Sequence, residues 1–366
     1  MKFSVQEWRE AMKKKTGLHG IVLMLALSVW AALGTSGCET QRRALGQDHI
    51  IAVVADSMLY TMLTPALGAA IERELRTPWP EKIFEITYMP PEQLRSAAVR
   101  QNVVMLGTLD GEDKTSEQVR SMLSESMKQR VQNGEAYLFR KDSPWARGQM
   151  LLVLAAPTAG DLFDRIEQNA DYIFSILREH SLKRTKEVMF SRYEQKDIED
   201  MLLQKYGWTL RVQHDYVVYQ EIPEAGFVHL RRTAPERWLF VHWEETDDPS
   251  LVTDREWMIK KRNEIGRLFY EDDVVVDTLY TFYEDEIAGR WALVFQGLWE
   301  NNKRIAGGPL KIFAFYDEET RRAYMIDIAV FAPGKRKEVF MRQLEVMART
   351  FRTAQDLKKT PLSEAD

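Results

Sequence analysis

Apolar runs and helix-type periodicity alternate along the first half of the chain. Short continuous apolar runs are typical of buried strands, whereas apolar residues repeated every three to four positions are typical of amphipathic helices. The predicted strands are 49–55, 82–89, 102–108, 137–140 and 150–155, and the predicted helices are 57–76, 91–100, 116–132 and a long one opened by Pro157. Pro65 lies inside the first of these helices, so we expect a kink or a break there.

The pattern changes at Trp208, after which most of the chain predicts strands. The predicted strands are 208–222, 227–231, 238–244, 274–284, 290–299, 310–316 and 323–331, and the predicted helices are 197–206, 253–268 and 337–351. Thr253 and Glu256 have the spacing of a capping box, which predicts a helix start at Thr253. The whole pattern predicts an α+β protein built from two sheet-plus-helix sandwich units.

The charged segment 183–195 has no apolar stripe in its middle and marks the expected domain boundary. The predicted parts are a signal peptide 1–37, a lipidated linker 38–48, an N-terminal α/β domain 49–192, a C-terminal β-rich α+β domain 193–353 and a disordered tail 354–366. Each half ends in a strand, an Ala-Pro pair (Ala156-Pro157 and Ala332-Pro333) and an amphipathic helix. An internal duplication of one unit is therefore one hypothesis, and two unrelated units are the other.

The segment 12–38 has the pattern of a bacterial lipoprotein signal. Three lysines (13–15) precede the apolar run 21–33, which is too short to cross a bilayer as a helix. Small residues then lead to Cys38, as in a lipobox, although Thr35 stands where leucine is usual. Because Glu7 and Glu10 do not suit a signal, Met12 is the expected start. The alternative is an uncleaved anchor helix.

Composition narrows the function. Cys38 is the only cysteine, which excludes an intramolecular disulfide and a thiolate metal cluster. The formal charge of -5 argues against a nucleic-acid partner and against a polybasic membrane patch. Glycine-rich phosphate loops, a Gly-x-Ser-x-Gly elbow and a His-Glu-x-x-His helix do not occur in the sequence. We therefore predict no cofactor.

His229 and His242 are candidate metal or acid–base residues. If 233–236 form a hairpin turn, His229 pairs with Phe240, Phe227 pairs with His242, and both histidines lie on one face roughly 7–8 Å apart. A metal site would need a third ligand, for which Glu244 is a candidate. The alternative is that the histidines are packed or hydrogen-bonded members of an aromatic sheet face, which the neighbouring aromatic residues favour.

Two further groups of residues are candidates for ligand binding. Trp299, Asn301 and Asn302, followed by Gly307 and Gly308, have the stacking and hydrogen-bonding groups of a sugar or peptide surface. The alternative is a tight connection between two strands, which the glycines also permit.

Arg231 and Arg232, together with Arg237, could hold an anionic ligand. Because acidic residues lie nearby at Glu236 and Glu244, ion pairing within the sheet is the preferred alternative.

Several stretches resemble a family of bacterial envelope lipoproteins known as domain of unknown function 4837. They are 50–75, 145–149, 226–232, Trp257 with Arg262-Asn263, and 297–299 with 307–309. The resemblance covers nearly all of residues 45 to 352 and implies lipid anchoring and one architecture, but no activity. The order of strands and closing helix in the second half also resembles the Mog1/PsbP-type sandwich, which occurs in non-enzymatic accessory proteins.

We therefore expect an exported lipoprotein, anchored through Cys38 to a bacterial membrane, with the outer membrane preferred, and facing the periplasm or cell surface. The preferred role is a non-catalytic binding or accessory component whose partner is an envelope protein or glycan. The alternative is an enzyme on envelope polymers, with a site around Trp299 and the two histidines. A structural spacer is a third possibility. A cleft with paired carboxylates would favour the enzyme, and a flat aromatic patch would favour the binding component.

Overall fold

The computed structural model describes residues 41–359, which form two compact units. The first unit contains residues 41–73 and Phe84–Leu177, and the second contains Glu74–Ile83 and residues 178–359. The predicted signal peptide, Cys38 and the last residues of the predicted tail lie outside the described residues. Within 41–359, no helix is both long enough and apolar enough to cross a membrane.

The first unit is a five-stranded sheet with helices on its faces. Its strands are β1 (Ile50–Val54), β4 (Glu85–Met89), β5 (Asn102–Thr108), β6 (Leu138–Asp142) and β7 (Met150–Ala156), in the order β4-β1-β5-β7-β6. All neighbours are parallel except β6, which runs antiparallel to β7. Every residue of β5 and β7 is buried, which explains their continuous apolar sequences because a parallel sheet is covered on both faces.

Six helices belong wholly or in part to this unit. They are α1 (Ser57–Ile71), α2 (Leu94–Ala97), α3 (Lys114–Met122), α4 (Glu125–Gln132), α5 (Ala159–Gln168) and the first part of α6 (Ala170–Met189). Asp56 caps α1 by accepting a hydrogen bond from the amide of Met58. Helix α1 runs through Pro65 as one element, so of the two expected outcomes, a kink or a break, the break does not occur. The helix ends at Ile71, so the predicted end near residue 76 is wrong.

The second unit is built on an eight-stranded antiparallel sheet. Its strands are β9 (Val217–Ile222), β10 (Phe227–Arg232), β11 (Glu236–Glu245), β12 (Asp273–Val275), β13 (Thr281–Ile287), β14 (Arg290–Asn301), β15 (Gly307–Asp317) and β16 (Arg322–Phe331). The order is β12-β14-β15-β16-β11-β10-β9, and β13 also pairs with β14. Two short ribbons, β2 (Glu74–Leu75) with β3 (Glu81–Lys82) and β8 (Trp208–Thr209) with β17 (Arg352–Thr353), complete the unit.

Helices cover both faces of this sheet. They are α7 (Lys196–Tyr206), α8 (Arg255–Phe269), α9 (Glu338–Arg349) and α10 (Ala354–Lys359). Helix α9 lies over one face, where Leu344 and Met347 share an apolar cluster with Ile326. Helix α8 lies over the other face, where Met258 and Ile265 share a second cluster. The β2–β3 ribbon belongs here because Glu81 accepts hydrogen bonds from the amides of Lys337 and Glu338 at the start of α9.

Local capping and backbone conformation explain where predicted elements divide. Ser124 caps a new helix by accepting from the amide of Met127, so the predicted helix 116–132 is two helices. Asn169 likewise separates α5 from α6. The predicted strand 208–222 is interrupted before β9, where Asp215 has a φ of 67°. The predicted strand 274–284 is also two strands, and Ala354–Lys359 form a helix where a disordered tail is predicted.

The predicted α+β class with sheet-plus-helix units is confirmed. The two sheets differ in construction, because one is mainly parallel and the other is antiparallel. Two copies of one duplicated unit would share strand directions, so the sheets give the duplication hypothesis no support.

Candidate functional site

Most of the candidate residues lie on the face of the eight-stranded sheet beneath α8, which is here called the helix-covered face. The opposite face, under α9, is not included in this name. His229 pairs with Phe240, which pairs with Asp327, so these three side chains lie in one row. Phe227 pairs with His242 in the adjacent row. The predicted hairpin register is therefore confirmed, and both histidines lie on the helix-covered face.

Helix α8 is fixed on this face by its cap and its inward stripe. Asp254 caps the helix by accepting from the amides of Glu256 and Trp257, so the prediction that Thr253 begins it with a capping box is wrong. Met258, Arg262 and Ile265 recur at helical spacing and are buried. One charged residue therefore points into the interface with the sheet.

Gly266 lets α8 approach β12 closely. A Cβ atom built on Gly266 would lie 1.8 Å from the carbonyl oxygen of Asp273. We expect Gly266→Ala to lower the free energy of unfolding by about 1–3 kcal/mol, because the helix must shift away from the sheet. Gly68→Ala in α1 is the matched control: no atom lies within 4 Å of its Cβ, and we expect a gain of about 0.5–1 kcal/mol. Urea unfolding followed by circular dichroism measures the change in unfolding free energy for both variants. Equal changes in the two variants would contradict close packing of Gly266 against β12.

Arg262 forms a buried ion pair with Asp327. Its Nε lies 3.2 Å from Asp327 Oδ2, and its Nη1 donates to the carbonyl oxygen of Asp273 at 2.7 Å. Both side chains are fully buried. Burial raises the pKa of Asp327 to about 6, although the adjacent guanidinium favours the carboxylate.

Several buried polar atoms around this pair have no hydrogen-bond partner among the described residues. They are both ring nitrogens of His229, the indole nitrogens of Trp238 and Trp299, the hydroxyl of Tyr270, Arg231 Nε, Arg262 Nη2 and Asp327 Oδ1. All belong to side chains of the helix-covered face, of α8, or of Tyr270, which follows α8. Such groups are costly to bury unless they bind water or a ligand, so their concentration at one place identifies a polar cluster in the core.

His229 is neutral in this cluster. The ring is 2% exposed and lies 4.5 Å from the Tyr270 ring, centroid to centroid. Burial lowers the pKa of His229 to about 3, and the nearby charge of Arg231 acts in the same direction.

This pKa makes the second unit sensitive to acid. The unfolded histidine binds a proton near pH 6.5 but the folded one only near pH 3, so stability is full above 6.5 and falls as the pH drops toward 3. We expect His229 to account for a loss of about 2 kcal/mol between pH 6.5 and 5. Urea unfolding at both pH values should show that His229→Gln loses less unfolding free energy between pH 6.5 and 5 than the unmodified chain does. His214→Gln, a change at the surface, should lose as much as the unmodified chain. An unchanged loss in His229→Gln would refute the assignment.

A groove of about 520 Å³ opens beside the cluster, on the same unit. The turn before β10, the end of β11 and one side of α8 line it. Its apolar part includes Ile265, Phe269 and the exposed Leu268. Phe269 also stacks on Phe227 of the helix-covered face, with ring centroids 4.9 Å apart. This groove is the cavity that we consider for partner binding.

The charged residues of the groove are mainly acidic. Glu224, Glu244, Glu245 and Glu264 line it, against Lys261 and His242. Lys261 Nζ lies 2.8 Å from Glu244 and 3.1 Å from Glu264. Hydrogen bonds from His242 and Lys261 hold the pKa of Glu244 at about 2, so this carboxylate stays ionised at neutral pH.

Both ring nitrogens of His242 have partners. Nδ1 lies 3.0 Å from the carbonyl oxygen of Gly226, and Nε2 lies 3.2 Å from Glu244 Oε1. The ring is therefore held in place between the turn and β11. Within residues 41–359, His229, His242 and Glu244 do not form a metal-ligand cluster, because no group of three or more such side chains comes together.

The other predicted binding residues have structural contacts. Trp299 is 1% exposed and packs edge-on against Trp238, so it cannot present a ring face to a ligand at the surface. Asn301 donates to Asp273 Oδ1 at 2.6 Å and accepts from the amides of Lys303 and Arg304. Asn302 is exposed and its amide donates to the carbonyl of Asp272.

The glycines of this segment permit close strand packing. A Cβ on Gly307 would lie 2.8 Å from the carbonyl oxygen of Trp299, and one on Gly308 would lie 2.1 Å from that of Val330. The segment is thus a tight strand connection, which is the alternative reading of its sequence.

The arginines do not form one site. Arg231 pairs with Glu236 at 2.8 Å, and Arg232 pairs with Asp215 at 3.2 Å. Arg231 lies on the helix-covered face, whereas Arg232 pairs in register with Arg237, whose guanidinium lies over Phe340 near α9 on the opposite face. Ion pairing within the unit, the preferred alternative, accounts for Arg231 and Arg232.

Sequence reasoning missed Arg262, Asp327 and Tyr270. Two signals were available: Asp327 is the one charged residue inside the apolar run of β16, and Arg262 occupies an inward position on the stripe of α8. A charge at a core position indicates a buried partner. Tyr270 follows the helix and has no such signal.

Comparisons with known proteins find two family models that match parts of the chain. Residues 195–350 match the model of "Domain of unknown function (DUF4837)", and residues 44–190 match that of "Domain of unknown function (DUF8532)". The resemblance to the first family is confirmed, but over 195–350 rather than over the predicted 45–352. No curated protein matches the chain in sequence.

Solved structures similar to part of the chain include the Ran-binding protein Mog1p of Saccharomyces cerevisiae. The match has 15% identity and a TM-score of 0.28, and it covers 40% of this chain and 90% of Mog1p. Cyanobacterial PsbP of Synechocystis sp. PCC 6803 has 11% identity, coverages of 40% and 86%, and a TM-score of 0.30. LpqN of Mycobacterium tuberculosis, described as involved in cell envelope biogenesis, has 12% identity, coverages of 39% and 81%, and a TM-score of 0.27.

The chain spans 45% of the length of a further similar structure, from Bacteroides thetaiotaomicron VPI-5482, at 7% identity and a TM-score of 0.26. Neighbours of the expected Mog1 and PsbP types are thus present. Residues 195–350 are thus similar to DUF4837, and residues 44–190 are similar to DUF8532.

Proposed function

We propose that the protein is a lipoprotein anchored at Cys38 that acts as a non-catalytic binding component of a bacterial cell envelope. The anchor holds the folded units near a membrane, and the groove of the second unit binds a segment of a partner protein. The signal-type sequence before Cys38 supports the anchoring part. The groove supports the binding part.

The observation that carries the proposal is the combination of acidic and apolar side chains in the lining of one groove. Of the four glutamates that line it, Glu244 and Glu264 share Lys261 and Glu245 pairs with Arg322. The excess of carboxylates over these two cations favours a positively charged occupant. Leu268 is 65% exposed beside them and offers apolar area that binding would bury. The partner segment therefore contains lysine or arginine next to apolar residues.

The same groove is poorly arranged for acid–base catalysis. Glu244 has a pKa of about 2, so it is not a proton donor at neutral pH. Both nitrogens of His242 are already occupied by Gly226 and Glu244, so a substrate would have to compete with these bonds. The alternative function is an enzyme on envelope polymers. It would be favoured if the protein turned over such a polymer and Glu264→Gln abolished the turnover.

Metabolic labelling with palmitate tests the anchor. We expect label on the intact chain and its loss in Cys38→Ala, because the thiol is the attachment atom and no other cysteine can replace it. Cys38→Ala should also release the protein from the membrane fraction. Label that persists in Cys38→Ala would refute lipid attachment at this residue.

Fluorescence anisotropy with labelled peptides tests the groove. We expect a peptide of alternating lysine and leucine to bind the purified protein, and a glutamate–leucine peptide of equal length not to bind. Binding should weaken with added salt because charges at a surface are screened. Glu264→Lys should weaken it further, whereas Glu187→Lys, an exposed change of equal charge elsewhere on the unit, should not. Equal loss in both variants would show that only net charge matters and would contradict a groove site.

A further inference from the structure

Two surface segments of the second unit lie at one end of its eight-stranded sheet. The turn 302–306 connects β14 to β15, and the segment 332–337 connects the end of β16 to α9. Gly308, near the start of β15, lies against Val330, near the end of β16, because a Cβ atom on Gly308 would be 2.1 Å from the Val330 carbonyl oxygen. Both connections therefore leave the sheet at the same end.

The β2–β3 ribbon is fixed to the second of these segments. Arg336 donates a hydrogen bond to the carbonyl oxygen of Lys82. Glu81 accepts hydrogen bonds at 2.7 and 3.0 Å from two amides at the start of α9. The loop 76–80, which joins β2 to β3, therefore belongs to the same end of the unit.

Two large apolar side chains of these segments are exposed. Trp79 is 83% exposed between two prolines, and Ile305 is fully exposed in the turn 302–306. Both lie on ordered backbone: the carbonyl oxygen of Trp79 accepts from the hydroxyl of Thr77, and the side chain of Asn301 accepts from two amides of the turn at 2.8 Å. Apolar groups held outward in this way favour a surface that covers them.

Cations accompany both apolar side chains. Residues 332–337 contain three cations and no acid, and residues 302–306 contain two cations and no acid. The ribbon adds two more, Arg76 and Lys82. Lys82 and Lys335 are exposed. A surface rich in exposed cations attracts negatively charged partners.

Acidic side chains offset only part of this charge. Glu74 pairs in register with Lys82 across the ribbon, and the carboxylate of Glu81 is occupied by the amides that begin α9. Glu271 lies 3.9 Å from Arg304 at the turn. With the seven cations stand five acids: Glu74, Glu81, Glu271, Asp272 and Glu300. Three of these acids lie beside the turn, so the excess positive charge is on the ribbon and on 332–337.

We propose that this end of the second unit, here called the basic end, docks on the surface of a membrane that contains anionic lipids. Trp79 and Ile305 enter the headgroup region, and the cations of 332–337 face the lipid phosphates. Tryptophan is well suited to this depth because its ring is apolar and its N–H can still bond to water or headgroups. This docking adds an orientation to the proposed anchoring and rests on the chain being held at a membrane.

The arrangement suits a lipid surface better than a protein partner. Trp79 and Ile305 stand on separate segments among charged residues rather than in one contiguous apolar patch. A lipid interface accepts single apolar side chains without a complementary shape, whereas a stable protein interface buries a large matched area. Cations near such a surface add attraction to anionic headgroups.

Docking at the basic end would direct the groove away from the membrane. Glu245, at the groove, pairs with Arg322, which pairs with Asp317 at the end of β15. The turn 302–306 precedes the start of β15, so the groove and the basic end lie at opposite ends of the sheet. The net charge of -5 is an average over both ends. An anionic surface attracts the basic end and repels the acidic groove, so both favour one orientation.

Hydrogen exchange followed by mass spectrometry tests the docking with the full chain reconstituted on vesicles. The reference vesicles are phosphatidylcholine, and the anionic ones contain equal amounts of phosphatidylcholine and phosphatidylglycerol. We expect amides of 76–80 and 302–306 to exchange at least about threefold more slowly on the anionic vesicles. Amides of 223–226 at the groove should exchange equally on both. Added salt should reduce the protection because it screens the charges.

Matched variants separate the basic end from total charge. Lys335→Glu should abolish most of the protection. Lys358→Glu, an equal charge change at an exposed position of α10, should not, because Arg290 links α10 to Asp317 at the opposite end. Trp79→Ser should reduce the protection, whereas Tyr193→Ser, which removes another exposed aromatic ring of the unit, should leave it unchanged.

The proposal is overturned if 76–80 and 302–306 exchange equally on both kinds of vesicle, or if Lys335→Glu and Lys358→Glu have equal effects. Protection that appears only after an envelope protein extract is added would assign this end to a protein partner and would also overturn it. Palmitate labelling of the same preparation reports on the anchor separately. Label without protection refutes the docking alone, whereas protection without label refutes the lipid anchor alone.

Discussion

Replacing Arg262 with methionine is expected to lower the free energy of unfolding of the second unit by about 3–5 kcal/mol. The change leaves the fully buried carboxylate of Asp327 without its counter-charge and removes the donor to the carbonyl of Asp273. Because protonation neutralises the carboxylate, and burial already raises its pKa to about 6, the loss should be smaller at pH 5 than at pH 8. Urea unfolding followed by tryptophan fluorescence measures it, since six of the ten tryptophans lie between 208 and 299.

Two control variants separate the ion pair from other effects. Lys260→Met makes a similar change at an exposed position of the same helix and should alter stability by less than about 0.5 kcal/mol. Arg262→Met combined with Asp327→Leu removes both charges and should recover a large part of the loss. A double variant as unstable as Arg262→Met would show that shape rather than charge dominates at this position.

Replacing Glu345 with glutamine is the second change from which we expect a large effect. Glu345 is buried, with Lys311 Nζ at 2.8 Å and Arg349 at 2.9 Å, and it also pairs with Arg178. Burial favours the neutral acid, but these three cations hold the pKa of Glu345 well below its usual value. The variant leaves Lys311, 3% exposed, without its carboxylate, and we expect a loss of about 3–5 kcal/mol.

The pH dependence of this variant has a definite sign. The depressed pKa means that the contribution of Glu345 is present above its ordinary pKa of 4.5 and is lost as the pH falls below it. The difference in unfolding free energy between the unmodified chain and Glu345→Gln should therefore become smaller as the pH falls below 4.5. Glu319→Gln, which removes a surface partner of Lys359, should change stability by less than about 0.5 kcal/mol. A loss in Glu345→Gln as small as in this control would contradict a structural role for the cluster.

The apolar pattern predicts the sheets well because burial of strands depends on local sequence. The strands β1, β5 and β7 appear as continuous apolar runs, and the turn 233–236 fixes the register of β10 and β11, hence the pairing of His229 with Phe240. The splits inside predicted elements depend on single residues, such as the cap at Ser124. Pattern reasoning over a window does not resolve such features.

The candidate site was predicted only in part, for a physical reason. Trp299 and its polar neighbours have the residue types of a ligand-binding surface. However, Trp299 lies opposite Gly308 on the helix-covered face and is therefore in the core. Which face α8 covers is a tertiary property, and the partners of Arg262 and Tyr270 lie far away in sequence.

The measurement that tests the binding function most directly is photo-cross-linking in living cells. A photoreactive amino acid replaces Leu268 in the groove or, as control, exposed Tyr193 elsewhere on the second unit. We expect Leu268 to cross-link a protein segment that contains lysine or arginine beside apolar residues, Glu264→Lys to reduce the product, and Tyr193 not to form it. No product at Leu268, the same product from Tyr193, or a cross-linked segment without basic residues would contradict the groove as the partner site.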